Sequence, residues 1–224
     1  PCLTAAPGHT LVIVDFAQVE ARCVAWMAGE DKLLDAYRRG DDIYTAFAAR
    51  VGSKDRQLGK VAILGLGYGM GEHKFRLFAA ASGVDLVASG VTAEEVVEAY
   101  RSEYPRITGE PQSKRGGRVY RTNGLWHRLM NAATLAVTEG GRHAAGKCYF
   151  THYDKTLHVE LPSGRVLRYH HARIEDRVPG YCFTMGLPPH MKATLVYDNP
   201  RGFEASLFGG KVAENTSQAI CRDL

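Results

Sequence analysis

Two groups of residues stand out for the chemistry that their types and spacing permit. The first is DFAQVEAR (15–22), directly after the apolar run 11–14. A carboxylate at the end of a buried strand is expensive unless something pairs with it. Asp15 is therefore either a helix N-cap, a common place for Asp, or a ligand for a hard cation such as Mg²⁺. Spacing alone leaves both readings open. Gln18, Glu20 and Arg22 follow closely, so the acid belongs to a polar cluster and not to a solvated face.

The second group is Arg56, Lys60, Leu64 and Tyr68, spaced by four. On a helix each such step turns by about 40°, so the stripe keeps to one side over about 18 Å. Two cations at i and i+4 repel, and both sit unfavourably near the positive end of the helix dipole. A bound anion reverses that balance, because a helix N-terminus carrying Arg and Lys suits phosphate. A nucleobase would then lie further along, near Leu64 and Tyr68. The alternative is a solvated basic face with a buried Tyr. Gly65, Gly67, Gly69 and Gly71 do not make a phosphate-cradling loop: Met70 and Glu72 break the GxGxxG spacing, and Val61 after Gly59-Lys60 breaks the Walker pattern. His143, His152, His158, His170, His171 and His190, with Cys148 and Cys182, match no zinc-finger spacing.

The elements that must position these groups are mixed. Residues 11–16 read as a buried strand, leading straight into a helix over 17–30 with Val19, Cys23, Trp26 and Met27 at helical spacing and a stop at Gly29. Ile43, Phe47 and Val51 mark a short helix. Another starts after Ser53 or Asp55 and runs to about Gly71. Thr92 and Glu95 form a capping box for a helix that ends before Pro105. GEPQSKRGGR (109–118) reads as a polar, basic loop, and a helix follows from Asn123 to about Gly140. Residues 157–161 and 165–169 read as a hairpin, 193–197 as a strand before a turn at 199–202, and the last dozen residues as helix.

Composition sets outer limits. The 224 residues, 45% apolar and 23% charged, suit a globular fold of one domain or two small ones. No apolar run approaches the ~18 residues of a membrane span. Five scattered cysteines without a CxxC pair favour a reducing cytosol over a disulfide framework. A net charge of +4 permits a polyanionic partner. Pro1 and the helical context of Leu224 make both ends read as cuts in a longer chain.

DFAQVEAR (15–22) resembles motif A of the family A DNA polymerases, and RQLGKVAILGLGYGMG (56–71) resembles their motif B, the O helix of the fingers. FGGKVAENTSQAICRDL (208–224) resembles the helix that returns to the palm and touches the primer-template minor groove. LPSGRVLRYHHARI (161–174) resembles the hairpin of phage members, and DDIYTAFA (41–48) the helix before the fingers.

The resemblance implies an α+β right-hand polymerase. Its palm would be an antiparallel sheet with helices, over residues 1–30 and again from 192, and its fingers, over 31–191, mostly helical with a β-hairpin. Asp15, with the carbonyl of Phe16, would hold two Mg²⁺ ions in the complete enzyme. Asp15 and Lys60 would be the catalytic residues, and Arg56 and Lys60 would grip the triphosphate of a deoxynucleoside triphosphate. Tyr68 would pack near the templating base. Glu20 would be the steric gate that disfavours ribonucleotides, which argues against a single-subunit RNA polymerase. Gln18 and Tyr44 would line the nucleotide site, while Arg22, Gln218 and Asn215 would touch DNA. Leu64 departs from the family's usual aromatic residue, so sugar discrimination and turnover are expected to differ. The second catalytic carboxylate, of motif C, is expected beyond Leu224, which would leave this piece inactive alone. The parent would act as a monomer on primer-template DNA, off the membrane, in the cytoplasm of a bacterial cell or phage host. A noncatalytic DNA-binding remnant is the rival reading.

Overall fold

The computed structural model describes residues 3–115, 118–178 and 191–224. Pro1, Cys2, Cys182 and His190 lie outside that set. The chain is α+β, as expected, with helices through its first half and a large antiparallel sheet in its second.

Local signals account for most helices. α1 (Val19–Ala28) ends at Gly29, whose left-handed φ of 73° closes the C-terminus. α2 (Asp31–Arg39) follows at once and was not foreseen from spacing. α3 (Ile43–Arg50) is capped by Asp42, whose carboxylate accepts the Tyr44 and Thr45 N–H groups. α4 (Arg56–Leu66) is capped in the same way by Asp55 through the Gln57 N–H. α5 (Glu72–Ala81) leads to α6 (Ala93–Glu103), where Thr92 and Glu95 complete the capping box. A short α7 (Pro105–Thr108) and the long α8 (Leu125–Glu139) complete this part.

Three expectations are corrected. Residues 11–16 form no strand: Val12, Ile13 and Val14 are each more than four-fifths exposed, and Phe16 is 63% exposed. β-branched residues favour a strand only through packing against a neighbouring strand, and none of the described residues pairs with this run. Of the expected loop at 109–118, residues 110–115 form a strand instead, β1 (Glu110–Arg115), paired in a ribbon with β2 (Arg118–Thr122). The motif B helix stops at Leu66, so Tyr68 lies in the turn beyond it, ahead of Gly69 at φ +79°.

The expected hairpin is the centre of something larger. β3 (Arg142–Ala145), β4 (Cys148–Tyr153), β5 (Thr156–Glu160), β6 (Val166–Arg177), β7 (Lys192–Asp198) and β8 (Glu204–Leu207) form a six-stranded antiparallel sheet in sequential order. Its fifth strand, β7, is the one expected at 193–197. Two-residue turns join β3 to β4 at Gly146-Lys147 and β4 to β5 at Asp154-Lys155, with all four residues at positive φ, as tight hairpin turns of this hand require. Phe150, Leu157, Val159 and Leu195 face inward, with α8 packed across the strands. The last helix, α9 (Gly209–Asp223), lies against α8 and α1, burying Val212, Ala213, Thr216 and Ser217. No helix among the described residues is long and apolar enough to cross a membrane.

Candidate functional site

α4 carries the stride-four stripe and is set deep in the molecule. Its other face buries Leu58, Val61, Ala62, Ile63 and Leu66. Gly59 brings it against α3: a Cβ there would overlap the backbone carbonyl of Tyr44, so only glycine permits this approach. Arg56 and Lys60 remain exposed on the outer side, and Leu64 and Tyr68 are half-buried. The stripe therefore grades from cationic and wet to apolar and dry.

Arg56 is not idle. Its Nε donates to Asp42 at 2.7 Å, and its guanidinium lies 5.1 Å from the centre of the Tyr44 ring. That ion pair, with the Thr45 hydroxyl, holds the Asp42 carboxyl down to about 2. The sequence reading missed Asp42, which both caps α3 and answers the charge at the start of α4. Lys60 forms no ion pair among the described residues. Tyr44 is buried beneath Arg56 and offers a ring instead of an open hydroxyl.

Tyr68 is held on every side. Its hydroxyl donates to Glu20 Oε2 at 3.0 Å and accepts from Ser217 Oγ at 3.2 Å. Burial raises the pKa of this hydroxyl, so it keeps its proton and stays a donor. The carbonyl of Gly67, next to it in the chain, accepts from Trp126 Nε1 at 2.8 Å. The backbone of Gly210 passes so near that a Cβ would overlap the Tyr68 carbonyl. The Tyr68 side chain thus ties α1 to α9, while the backbone around it joins α8 and α9 to the end of α4. Ser217 was not anticipated; it falls four residues after Ala213 and three before Ile220 on the buried face of α9, the one signal available.

Glu20 reaches Tyr68 because of Gln18. That residue starts α1 in the left-handed region, at φ 59°, and turns the chain sharply into the helix. Glu20, Leu64 and Tyr68 line a crevice of about 10 Å³ with Tyr100 and Ile107, space for one water at most. Asp15 and Phe16 are exposed, and Asp15 forms no ion pair among the described residues.

The other expected residues divide. Arg22 donates from Nε to the Ala17 carbonyl at 3.0 Å and stacks on Tyr37 at 4.3 Å, bracing the start of α1. Asn215 donates to the Tyr169 hydroxyl at 3.0 Å, which links α9 to the sheet. Gln218 is exposed on α9. No group of three or more His, Cys, Asp or Glu among the described residues could hold a metal ion. A larger cavity, about 770 Å³ between α5 and the start of α6, shares no residue with this site.

The sequence profile described as DNA polymerase family A matches residues 1–117. The DNA polymerase of Bacillus phage SP02 is 29% identical over 96% of this chain, and the chain covers 31% of that protein. The DNA polymerase of Mycobacterium phage L5 is 30% identical over 57% of the chain and is 21% covered. The thermostable DNA polymerase I of Thermus filiformis is 30% identical over 46% of the chain and is 12% covered. No solved structure matches. The chain belongs to DNA polymerase family A. It spans less than a third of the length of these relatives.

Proposed function

We propose that this chain supplies the nucleotide-binding side of a template-directed DNA polymerase. The hydrogen bond between Glu20 and Tyr68 carries the reading, because it joins the acid-bearing start of α1 to the end of the cationic stripe. Lys60, exposed and without an acidic partner among the described residues, is the group best placed to take a triphosphate. Arg56 would join it by exchanging Asp42 for phosphate. Tyr68 would stand at the templating base, and Glu20 would crowd a ribose 2′-hydroxyl, favouring deoxynucleotides. The palm lies at the start and end of the chain and the fingers between them.

The donor set at Asp15 fits Mg²⁺: an exposed carboxylate without a competing cation, beside the Phe16 carbonyl, is the sparse oxygen ligation this ion accepts alongside substrate phosphates. When bound, metal ions supply activation of the primer 3′-hydroxyl and charge neutralisation on the leaving pyrophosphate. Among the described residues, Asp15 belongs to no group of three or more His, Cys, Asp or Glu side chains that could hold a metal ion. On this reading the chain binds nucleotide, and primer extension takes the whole polymerase.

The test is titration of the purified chain with a deoxynucleoside triphosphate, with and without Mg²⁺. Mg²⁺-dependent binding that Lys60→Ala abolishes supports the reading. Equal binding by the variant, or robust primer extension by the chain alone, overturns it.

A further inference from the structure

The six-stranded sheet has two faces of opposite character. Side chains alternate along a strand, and the face turned away from α8 carries rows fixed by the strand register. Arg142, Thr151, His158 and Arg168 lie side by side across β3 to β6. Tyr149 and Glu160 form the next row in one direction, and Tyr153, Thr156 and His170 in the other.

Two tyrosines on this face are left open to solvent, Tyr149 at 42% and Tyr153 at 61% exposure. Both rings are pre-set. Tyr153 lies flat on the His158 imidazole, centroids 3.9 Å apart and planes 2° apart. The Arg142 guanidinium sits 3.5 Å over the Tyr149 ring and also bonds Glu160 at 3.0 Å. Arg168 is exposed and forms no ion pair among the described residues, and His170 is exposed beside it. The other end of the same face differs. There Arg173, Arg177, Glu175 and Glu204 neutralise one another, and His171 meets Asp198 at 2.7 Å. One arginine without an acidic partner among the described residues, Arg168, thus coincides with two exposed rings at the β3–β6 end, where Arg142 would exchange Glu160 for a phosphate. Burial beneath Tyr153 is the main cause that lowers the pKa of His158, and the neighbouring Arg168 adds to it.

Ordered rings interleaved with arginines on an open sheet are what single-stranded nucleic acid uses. Bases stack on the rings without regard to sequence, and guanidinium groups take the phosphates. A duplex hides its base faces and cannot use the rings. Tyr149 and Tyr153 are four residues apart on one strand, a span of about 13 Å, which suits a short run of splayed nucleotides. The location also fits. The β3–β4 turn abuts α1, with Lys147 Nζ 5.8 Å from the Trp26 ring, so the patch adjoins the helix that carries Glu20.

We propose that the β3–β6 half of this face binds single-stranded DNA, with bases stacked on Tyr149 and Tyr153 and phosphates on Arg142 and Arg168. The proposal deepens the polymerase reading, since the strand it names is the unpaired template.

Fluorescence anisotropy of the complete 224-residue chain with labelled oligo(dT) tests it. The double variant Tyr149→Ala/Tyr153→Ala binds about 10- to 100-fold more weakly and still unfolds in one cooperative transition, because neither ring belongs to the buried core. The Tyr149→Phe/Tyr153→Phe pair keeps the affinity, and a blunt duplex of equal length is insensitive to either pair. Arg168→Ala weakens binding and flattens its salt dependence by about one phosphate contact. No binding of oligo(dT) by the unmodified chain, wild-type affinity in the alanine pair, or equal losses in the alanine and phenylalanine pairs overturns the proposal. Lys60→Ala separates the two readings: it removes nucleotide binding while leaving tyrosine-dependent oligo(dT) binding intact.

Discussion

The contact between Glu20 and Tyr68 can be weighed directly. Tyr68→Phe removes one hydroxyl that serves two partners, yet the losses are unequal. Ser217 has a single proton and already has an alternative acceptor, the Glu214 carbonyl at 3.1 Å, so it is satisfied after the change. Glu20 has no such substitute among the described hydrogen bonds, and it loses a donor at 3.0 Å. A hydrogen bond to a charged group contributes about 1.5–3 kcal/mol. Glu20 is only half-buried and regains water, which places the loss near the lower end, at about 1.5 kcal/mol. For a chain of this size that lowers Tm by about 3–6 °C. A double-mutant cycle of Tyr68→Phe with Glu20→Ala, read by urea unfolding, isolates the pair and is expected to give a coupling of about 1–2 kcal/mol. The matching cycle with Ser217→Ala gives far less. A Glu20–Tyr68 coupling below about 0.3 kcal/mol, the level at which independent sites add, refutes the reasoning and removes the bond as a determinant of this site.

Three further outcomes follow from the geometry. Gly59→Ala tests packing against propensity: helix propensity alone promises about 1 kcal/mol of stabilisation, but the overlap with the Tyr44 carbonyl makes the change destabilising by about 1–3 kcal/mol, and a raised Tm contradicts the close approach of α3 and α4. Asp42 has its folded pKa lowered to about 2 from 3.8, so its contribution is present above the unfolded value and lost as pH falls through the folded one; calorimetry of Asp42→Ala shows a Tm deficit at pH 7 that vanishes toward pH 2, and a constant deficit argues against the Arg56 pair. Buried Glu30 accepts the Arg106 N–H at 2.9 Å, yet burial raises its pKa above 4.5, so the stability linked to its proton is present below that value and fades as pH rises. Glu30→Gln keeps an acceptor oxygen without the charge and is expected to raise Tm at pH 7 with little gain at pH 4, and a lowered Tm at pH 7 shows that the charge is needed.

Short-range chemistry was legible in the sequence. Asp55, Thr92 with Glu95, and Gly29 mark helix ends where they were read, because a cap is made by residues within one turn of each other. The hairpin at 162–164 was legible for the same reason, with Gly164 at φ 83° in its turn. β3 and β4 were not read from the sequence: β3 is only four residues long, and the turns at Gly146-Lys147 and Asp154-Lys155 lack the Asn-Gly or Asp-Gly pair that signals a tight hairpin. Residues 11–16 show the reverse failure: the apolar pattern is strong, but a strand exists only when another strand pairs with it.

What no local pattern contains is the meeting of residues far apart in the chain. The types of Glu20, Lys60 and Tyr68, and the motifs in which they stand, were fixed by the sequence itself. That Tyr68 lies beyond its helix, donates to Glu20 and rests on Ser217, 149 positions further along, was decided by packing. So was the division of the sheet into an ion-paired end and an open aromatic one. Hydrogen bonds and ion pairs act over a few ångströms, and only the folded chain determines which groups come that near.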